Sequence, residues 1–292
     1  MYPVSTTLQA ALAAGTPQRV LLEFTDVTFS NEDIVIGTGI ELNEVFSGET
    51  DIRAGLCPSS EIRFDLLNDR GQLNVFTFGT FKAWLGARID AGTTAANAKT
   101  KVFMEDGVPR TYEFTPLGVF IADRPAVVRK KILSITANDR MTLFDVPMPA
   151  PEELGISYPT TLGELFRKMG SYLQVPYRTE TFMNGTLVIP EEPEAFCGAT
   201  MRDVLGWIAE AACSIARFDR DGVLELAWFH ATDRCYDEHG YTEFTPSWYE
   251  TAAVDGLHVR NADSEAETVL GLENNMYLIE DNPFLMIPDT SS

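Results

Sequence analysis

Cations are scarce in this sequence. Lys and Arg total 22 against 43 Asp and Glu, for a formal net charge of −21 at pH 7. Sequence-independent binding to nucleic acid needs clustered Lys and Arg that release counterions from phosphate, so the average surface here repels such a partner. Histidine is scarcer still, with only His230, His239 and His258. The four cysteines (Cys57, Cys197, Cys213 and Cys235) stand far apart and form no C-x-x-C pair, unlike the dense spacing of a secreted disulfide scaffold. They read as reduced thiols in a protein made in a cytoplasm, with a single bridge left open. No uncharged apolar run is long enough to span a bilayer, and Met1-Tyr2-Pro3-Val4 lacks the basic start of a signal peptide. A soluble chain with no membrane insertion is expected.

The grammars of catalysis are missing too. There is no G-x-S-x-G elbow and no P-loop, and Gly37-Thr38-Gly39 is a bare G-x-G in a β region. Cys235-x-x-x-His239 has ligand spacing, but tetrahedral zinc needs further Cys or His, and His230 is the only near candidate. Asp219-x-Asp221-Gly222 opens like a calcium loop and then runs into Val223-Leu224-Glu225-Leu226, where oxygen ligands should follow; a hairpin turn accounts for the same residues. Among 43 acidic residues, paired carboxylates are expected by chance, and Glu191-Glu192-Pro193-Glu194 reads as a solvated loop. Trp207 and Trp228 sit on apolar stripes and read as core. The sequence therefore predicts no catalytic residue, no metal ligand and no cofactor.

What is present is ordinary globular mass, 45% hydrophobic and 11% aromatic with 18 Phe, enough to fold without staples. Residues 1–147 read as a β domain, opened by a short helix capped by Ser5 or Thr6 with Leu8 and Leu12 facing inward. Ile62, Phe64 and Leu66 alternate with charged residues, and Leu133, Ile135 and Ala137 alternate with Ser134, Thr136 and Asn138, as half-buried strands do. Asn68-Asp69-Arg70-Gly71 and Glu105-Asp106-Gly107 read as turns, and residues 90–100, small and polar, as a mobile loop.

A Pro- and Glu-rich stretch over 147–159 marks a boundary. Residues 148–240 read as an α/β domain. Its first helix opens at Thr161 with Glu164 at capping-box spacing and buries Leu162, Leu165, Phe166 and Met169. Its second starts near Thr200 with Asp203 in the first turn and a stripe of Met201, Val204, Leu205, Ile208, Ala211 and Ala212. A short strand at 187–189 lies between them, and strands at 214–218 and 223–229 flank the Asp219-Arg220-Asp221-Gly222 turn. Residues 241–292 return to β, with strands near 257–260, 268–272 and 276–279. The fold class is α+β, mainly β.

Three segments carry a family resemblance. One is Pro116-Leu117-Gly118-Val119-Phe120-Ile121-Ala122-Asp123-Arg124-Pro125 with the later Ser134-Ile135-Thr136-Ala137-Asn138-Asp139-Arg140-Met141. The second is Tyr158-Pro159-Thr160-Thr161-Leu162-Gly163-Glu164-Leu165. The third joins Thr200-Met201-Arg202-Asp203-Val204-Leu205-Gly206-Trp207-Ile208-Ala209 to Ala216-Arg217-Phe218-Asp219-Arg220-Asp221-Gly222-Val223-Leu224. In order and spacing the chain resembles the tail hub and baseplate hub proteins of phages and prophages of Gram-positive bacteria, a family that includes the N-terminal part of tail-associated lysins.

The resemblance implies a tail-tube-like β-barrel over 1–147, the α/β domain, and a second barrel of which 241–292 supplies part. It also implies a virion structural protein, assembled in the bacterial cytoplasm into the tail. There a homotrimeric ring joins tube to tip and meets the distal tail, tape-measure, tip or receptor-binding proteins. DNA touches such a ring only in passage through the lumen, and an acidic lumen would not hold its phosphates. The chain stops where family members commonly continue, so lysin activity does not carry over. Two rivals come from other classes: a β-rich module that binds host wall glycans through exposed aromatic platforms, and a cell-wall hydrolase with convergent carboxylates or a metal.

Overall fold

A computed structural model describes residues 4–35, 37, 39–44, 53–68, 79–89, 99–122, 126–129 (backbone only), 131–228, 256–260, 267–271 and 276–285. Helix α1 (Thr6–Ala13) is capped by Ser5, whose hydroxyl accepts from the Leu8 amide at 2.9 Å. Nine strands follow: β1 (Gln18–Glu23), β2 (Thr28–Ser30), β3 (Ile40–Asn43), β4 (Glu61–Leu67), β5 (Thr80–Ile89), β6 (Lys99–Glu105), β7 (Val108–Ala122), β8 (Ala126–Arg129) and β9 (Ile132–Asp139). They form one sheet in the order β2-β1-β5-β7-β9-β4-β3, with β6 added on β7 and β8 on β9.

The alternation predicted for β4 and β9 is observed, with Ile62, Phe64, Leu66, Leu133, Ile135 and Ala137 all buried. Glu105-Asp106-Gly107 makes the β6–β7 hairpin, and Asp106 (φ 50°) and Gly107 (φ 78°) both take the left-handed backbone such a turn requires. Lys99 and Thr100, expected in a loop, begin β6, where Lys99 pairs with Phe114 and Thr100 with Glu113. Cross-strand partners overrode their local polarity. Residues 69–71 of the turn expected at 68–71, and 90–98 of the expected loop, lie outside the described residues.

This sheet curls around Phe81. The Phe81 ring stacks on Phe24 at 4.7 Å and meets Phe120 and Phe64 at 5.8 Å each. Phe64 is on β4, three strands from β5, which on a flat sheet is about 14 Å. Only strong curvature brings those rings together. Phe29 from one end of the sheet and Ile40 and Leu42 from the other join the same core. The barrel expected over 1–147 is thus a curled, open sheet among the described residues, whose path ends at β2 and β3.

After β9 a 3-10 turn (Arg140–Phe144) leads to α2 (Pro151–Leu154), β10 (Thr160–Thr161), α3 (Leu162–Tyr172), β11 (Val188–Ile189), α4 (Met201–Ala211), β12 (Ile215–Phe218) and β13 (Leu224–Ala227). Thr161 caps α3 by accepting from the Glu164 amide. At α4 the capping box is complete, with Thr200 and Asp203 each accepting from the other's backbone N–H. Both predicted stripes face a single core with Met141, Phe144, Phe218 and Leu224. Each fully buried Leu, Ile, Phe or Met contributes about 1.5–3 kcal/mol of transfer free energy. That helix-face core, more than the weak two-residue pairing of β10 with β11, holds the unit together.

Last come β14 (Gly256–Arg260), β15 (Glu267–Gly271) and β16 (Met276–Glu280), with β14 in the middle. Asn282 ties this sheet to α4. Its buried amide donates to the Trp207 carbonyl at 3.0 Å and to Glu210 at 2.9 Å, and its oxygen accepts from the Phe284 amide. Truncation of Phe81 to Ala is expected to cost about 3–5 kcal/mol, as for other large aromatic deletions in packed cores. Denaturant unfolding of the two proteins measures it. A loss below 1 kcal/mol would show that the ring is not the pivot of the curl.

Candidate interaction surface

Two places in the structure gather side chains that the sequence scatters. The first is the seam between the curled sheet and the α/β unit. Asp139 ends β9 and caps the turn after it. Its carboxylate, 6% exposed, accepts from the Ser59 hydroxyl and the Ser60 amide at 2.9 Å and from the Met141 amide at 3.0 Å. Burial raises its pKa from the usual carboxylate value, and the three donors oppose that rise.

Beside it, residues 53–60 run along α4 and β12. The Gly55 amide donates to the Ser214 carbonyl and the Ala216 amide to that of Leu56. Gly55 and Gly206 approach so closely that a Cβ on Gly206 would sit 3.0 Å from the Gly55 oxygen. Across the seam the Asp219–Gly222 turn, a hairpin as read from sequence, rests on β7. The Arg140 guanidinium donates to the Gly222 carbonyl at 2.9 Å, Lys82 pairs with Asp221 at 2.6 Å and Arg220 with Glu44 at 2.9 Å. A Cβ on Gly222 would lie 2.7 Å from Val119, and its φ of 75° already favours glycine.

The second place is the convex-side face of β1, β5, β7 and β6. Register puts Arg19 and Glu23, Lys82, Trp84 and Arg88, Arg110, Tyr112 and Phe114, and Lys99, Lys101, Phe103 and Glu105 on one side of the sheet. Six of the chain's 22 Lys and Arg therefore share one face. Their stems cover aromatic rings: Arg19 lies 4.3 Å over Phe103, and Lys82 and Lys99 each 4.4 Å over Trp84. Carboxylates neutralise most of them. Arg19 bridges Glu32 at 3.0 Å and Glu105 at 3.1 Å, Arg88 reaches Glu105 at 3.7 Å, and Lys99 pairs with Glu23. Tyr112, fully buried, donates to Glu105 at 2.6 Å, and that bond, then Arg19, holds the Glu105 carboxyl below its ordinary range. Lys101 and Arg110 have no carboxylate partner among the described residues. On the opposite face, Glu113 Oε2 and the Thr115 hydroxyl are buried with no hydrogen-bond partner among the described residues.

Residues considered for chemistry fall elsewhere. His230, Cys235 and His239 lie outside the described residues. His258 pairs with Glu267 at 3.0 Å on the surface of the last sheet. Cys57, Cys197 and Cys213 are free thiols. No cluster of three metal-ligating side chains occurs among the described residues, and no helix there is long and apolar enough to cross a membrane. Glu191, Glu192 and Glu194 are exposed, as read. Trp207 stacks on Phe196 against the core. Trp228 is a correction: it is 43% exposed at the end of β13, because the strand's buried alternation stops with the short pairing to β12. A groove of about 480 Å³ beside the start of α3 has Glu164 as the one titratable side chain in its lining. The cationic face was not legible in the sequence; the only local signal is the Lys99-x-Lys101 alternation.

No family model and no curated protein matches the chain. Among solved structures it is similar to a 43 kDa tail protein of prophage MuSo2 from Shewanella oneidensis, at 12% identity and a TM-score of 0.49, over 90% of this chain and 72% of that one. It is likewise similar to a tail protein from Neisseria meningitidis MC58, at 12% identity and a TM-score of 0.46, over 90% and 71% of the respective chains.

Two predictions follow from this geometry. Because Glu105 has a depressed folded pKa, the stability it contributes is present above the ordinary carboxylate range and is lost as pH falls through its folded value. The Glu105→Gln variant should therefore be less stable than wild type at neutral pH, with the gap narrowing as pH falls below about 4; parallel denaturant titrations would reveal a pH-independent gap if the idea is wrong. Burial pushes the Cys57 thiol up to about 12, whereas Cys197 and Cys213 are exposed. Alkylation of the native protein, mapped by peptide mass spectrometry, should mark Cys197 and Cys213 long before Cys57.

Proposed function

We propose that this chain is a structural protein of a phage or prophage tail that works through protein contacts and not through catalysis. Its place in that reading is the hub or baseplate at the distal end of the tail, where a ring of three copies joins tube to tip. The observation that carries the proposal is where the family-like residues sit. Asp139 and Arg140 come from the first segment, Gly206 and the Asp219–Gly222 turn from the third, and all converge on the seam that fixes the sheet against the α/β unit. Segments that resemble a family through architecture should be those that set the angle between its parts. Here they do so by close backbone approach and buried hydrogen bonds, and none of them forms a reactive constellation.

Division of the chain at 147 and 240 belongs to the same reading: a tube-like sheet, an α/β unit, and a C-terminal section contributing to a second barrel. The tape-measure, distal tail and tip or receptor-binding proteins are its partners, and the virion tail, assembled in the bacterial cytoplasm, is its location. With a net charge of −21 and six cations drawn onto one face, the remaining surface is strongly acidic. A lumen built from it would let DNA pass without holding phosphate.

Light scattering and negative-stain imaging of the purified full chain, alone and with its tail neighbours, test the reading. Rings of three 32.4 kDa copies are expected. A strict monomer under both conditions would overturn the hub, and turnover of purified peptidoglycan would overturn the non-catalytic role.

A further inference from the structure

Four strands of the curled sheet pair on one side only among the described residues, β2, β3, β6 and β8, and two of them, β6 and β3, differ in character. Strand β6 pairs only with β7, and β3 only with β4. An unpaired edge is a template for another strand, and monomeric proteins blunt it with charged side chains, lysine above all, with proline or with a covering element. β6 is blunted only in part, by Lys99 and Lys101 on one side of the sheet. It is seven residues long, without proline, and carries Val102 at 57% and Met104 at 67% exposure. Both of its cations lie over rings on the outer side, Lys99 over Trp84 and Lys101 over Phe103.

We propose that the free edge of β6 receives β3 of a second copy, so that one sheet continues from subunit to subunit. The inference rests on the ring reading above and names the surface through which the ring forms. Two complementarities select β3 as the occupant. The first is charge. Lys101 and Arg110 stand on β6 and β7 without carboxylate partners among the described residues. Glu41, on β3, is exposed and has no side-chain ion pair there, since the facing Arg63 is held by Glu61 at 2.7 Å.

The second is the period-2 alternation of the sheet. Glu41 lies on the same side of the sheet as Lys101 and Arg110, and Ile40 and Leu42 on the core side, where Val102 and Met104 are exposed. In a continued sheet with Glu41 opposite Phe103, Ile40 and Leu42 flank Val102 and Met104. Glu41 then has Lys101 on one diagonal and Glu105, already held by Arg19 and Tyr112, on the other. A one-residue slip would set acid against apolar and apolar against base. The contact is head-to-tail, which closes into a ring when the rotation per subunit permits.

The experiment uses the full chain. Sedimentation should show self-association of wild type, weakened about tenfold or more by Lys101→Glu with Arg110→Glu, and likewise by Glu41→Lys, because like charges then face each other. Combining all three should restore it. A carbodiimide, which joins amine to carboxylate without a spacer, should link Lys101 of one copy to Glu41 of another. Circular dichroism unchanged from wild type would show that the variants fold. If wild type associates but ignores the reversals, or if β6 links to another segment or to itself, the strand pairing is overturned while the ring survives. A wild type that never associates overturns both.

Discussion

Curvature of the nine-stranded sheet is the constraint on which the other features depend, and the Phe81 ring enforces it. Phe24, the residue after β1, and Phe120 on β7 hold that ring, while Phe64 reaches it from β4. Aromatic contacts of this kind are worth about 0.5–1.5 kcal/mol beyond the area they bury, and they pull the far strands over the near ones. Once the sheet is curled, its core face is filled by Phe, Leu and Ile. Its outer face must then meet solvent or another element, and among the described residues the strand path ends at β2 and β3.

The outer face meets both. At one end the Asp219–Gly222 turn comes down on Val119, and Lys82 and Arg140 fasten it. Exposed ion pairs of this sort contribute little individually, so glycine's close approach and the buried Asp139 cap are the firmer parts of the joint. Toward the β6–β7 hairpin the same face carries rings under cationic stems. Burying Tyr112 and Phe114 there leaves cations in an acidic protein where carboxylates elsewhere would draw them. That charge segregation distinguishes the hairpin edge from the rest of the surface and makes it a place where an acidic strand fits.

Much of this was legible in advance, and for a physical reason. Helix caps at Ser5, Thr161 and Thr200, the buried stripes of α3 and α4, the alternation of β4 and β9, and the turns at Asp106 and Gly222 are decided by residues within a few positions of each other. Trp228 and Lys99 were misread because each sits at the end of a local pattern. Whether the pattern continues depends on a partner strand far along the chain.

By itself, then, the sequence determined element type, the inward faces, the mainly β class and the scarcity of reactive groups. These follow from local period, capping chemistry and composition. Only the tertiary structure decided that the sheet curls without closing among the described residues, that residues 139 positions apart meet as Lys82 and Asp221, and that six cations share one face with Trp84, Phe103 and Tyr112. Such juxtapositions arise from the packing of whole elements, and no window of neighbouring residues encodes them.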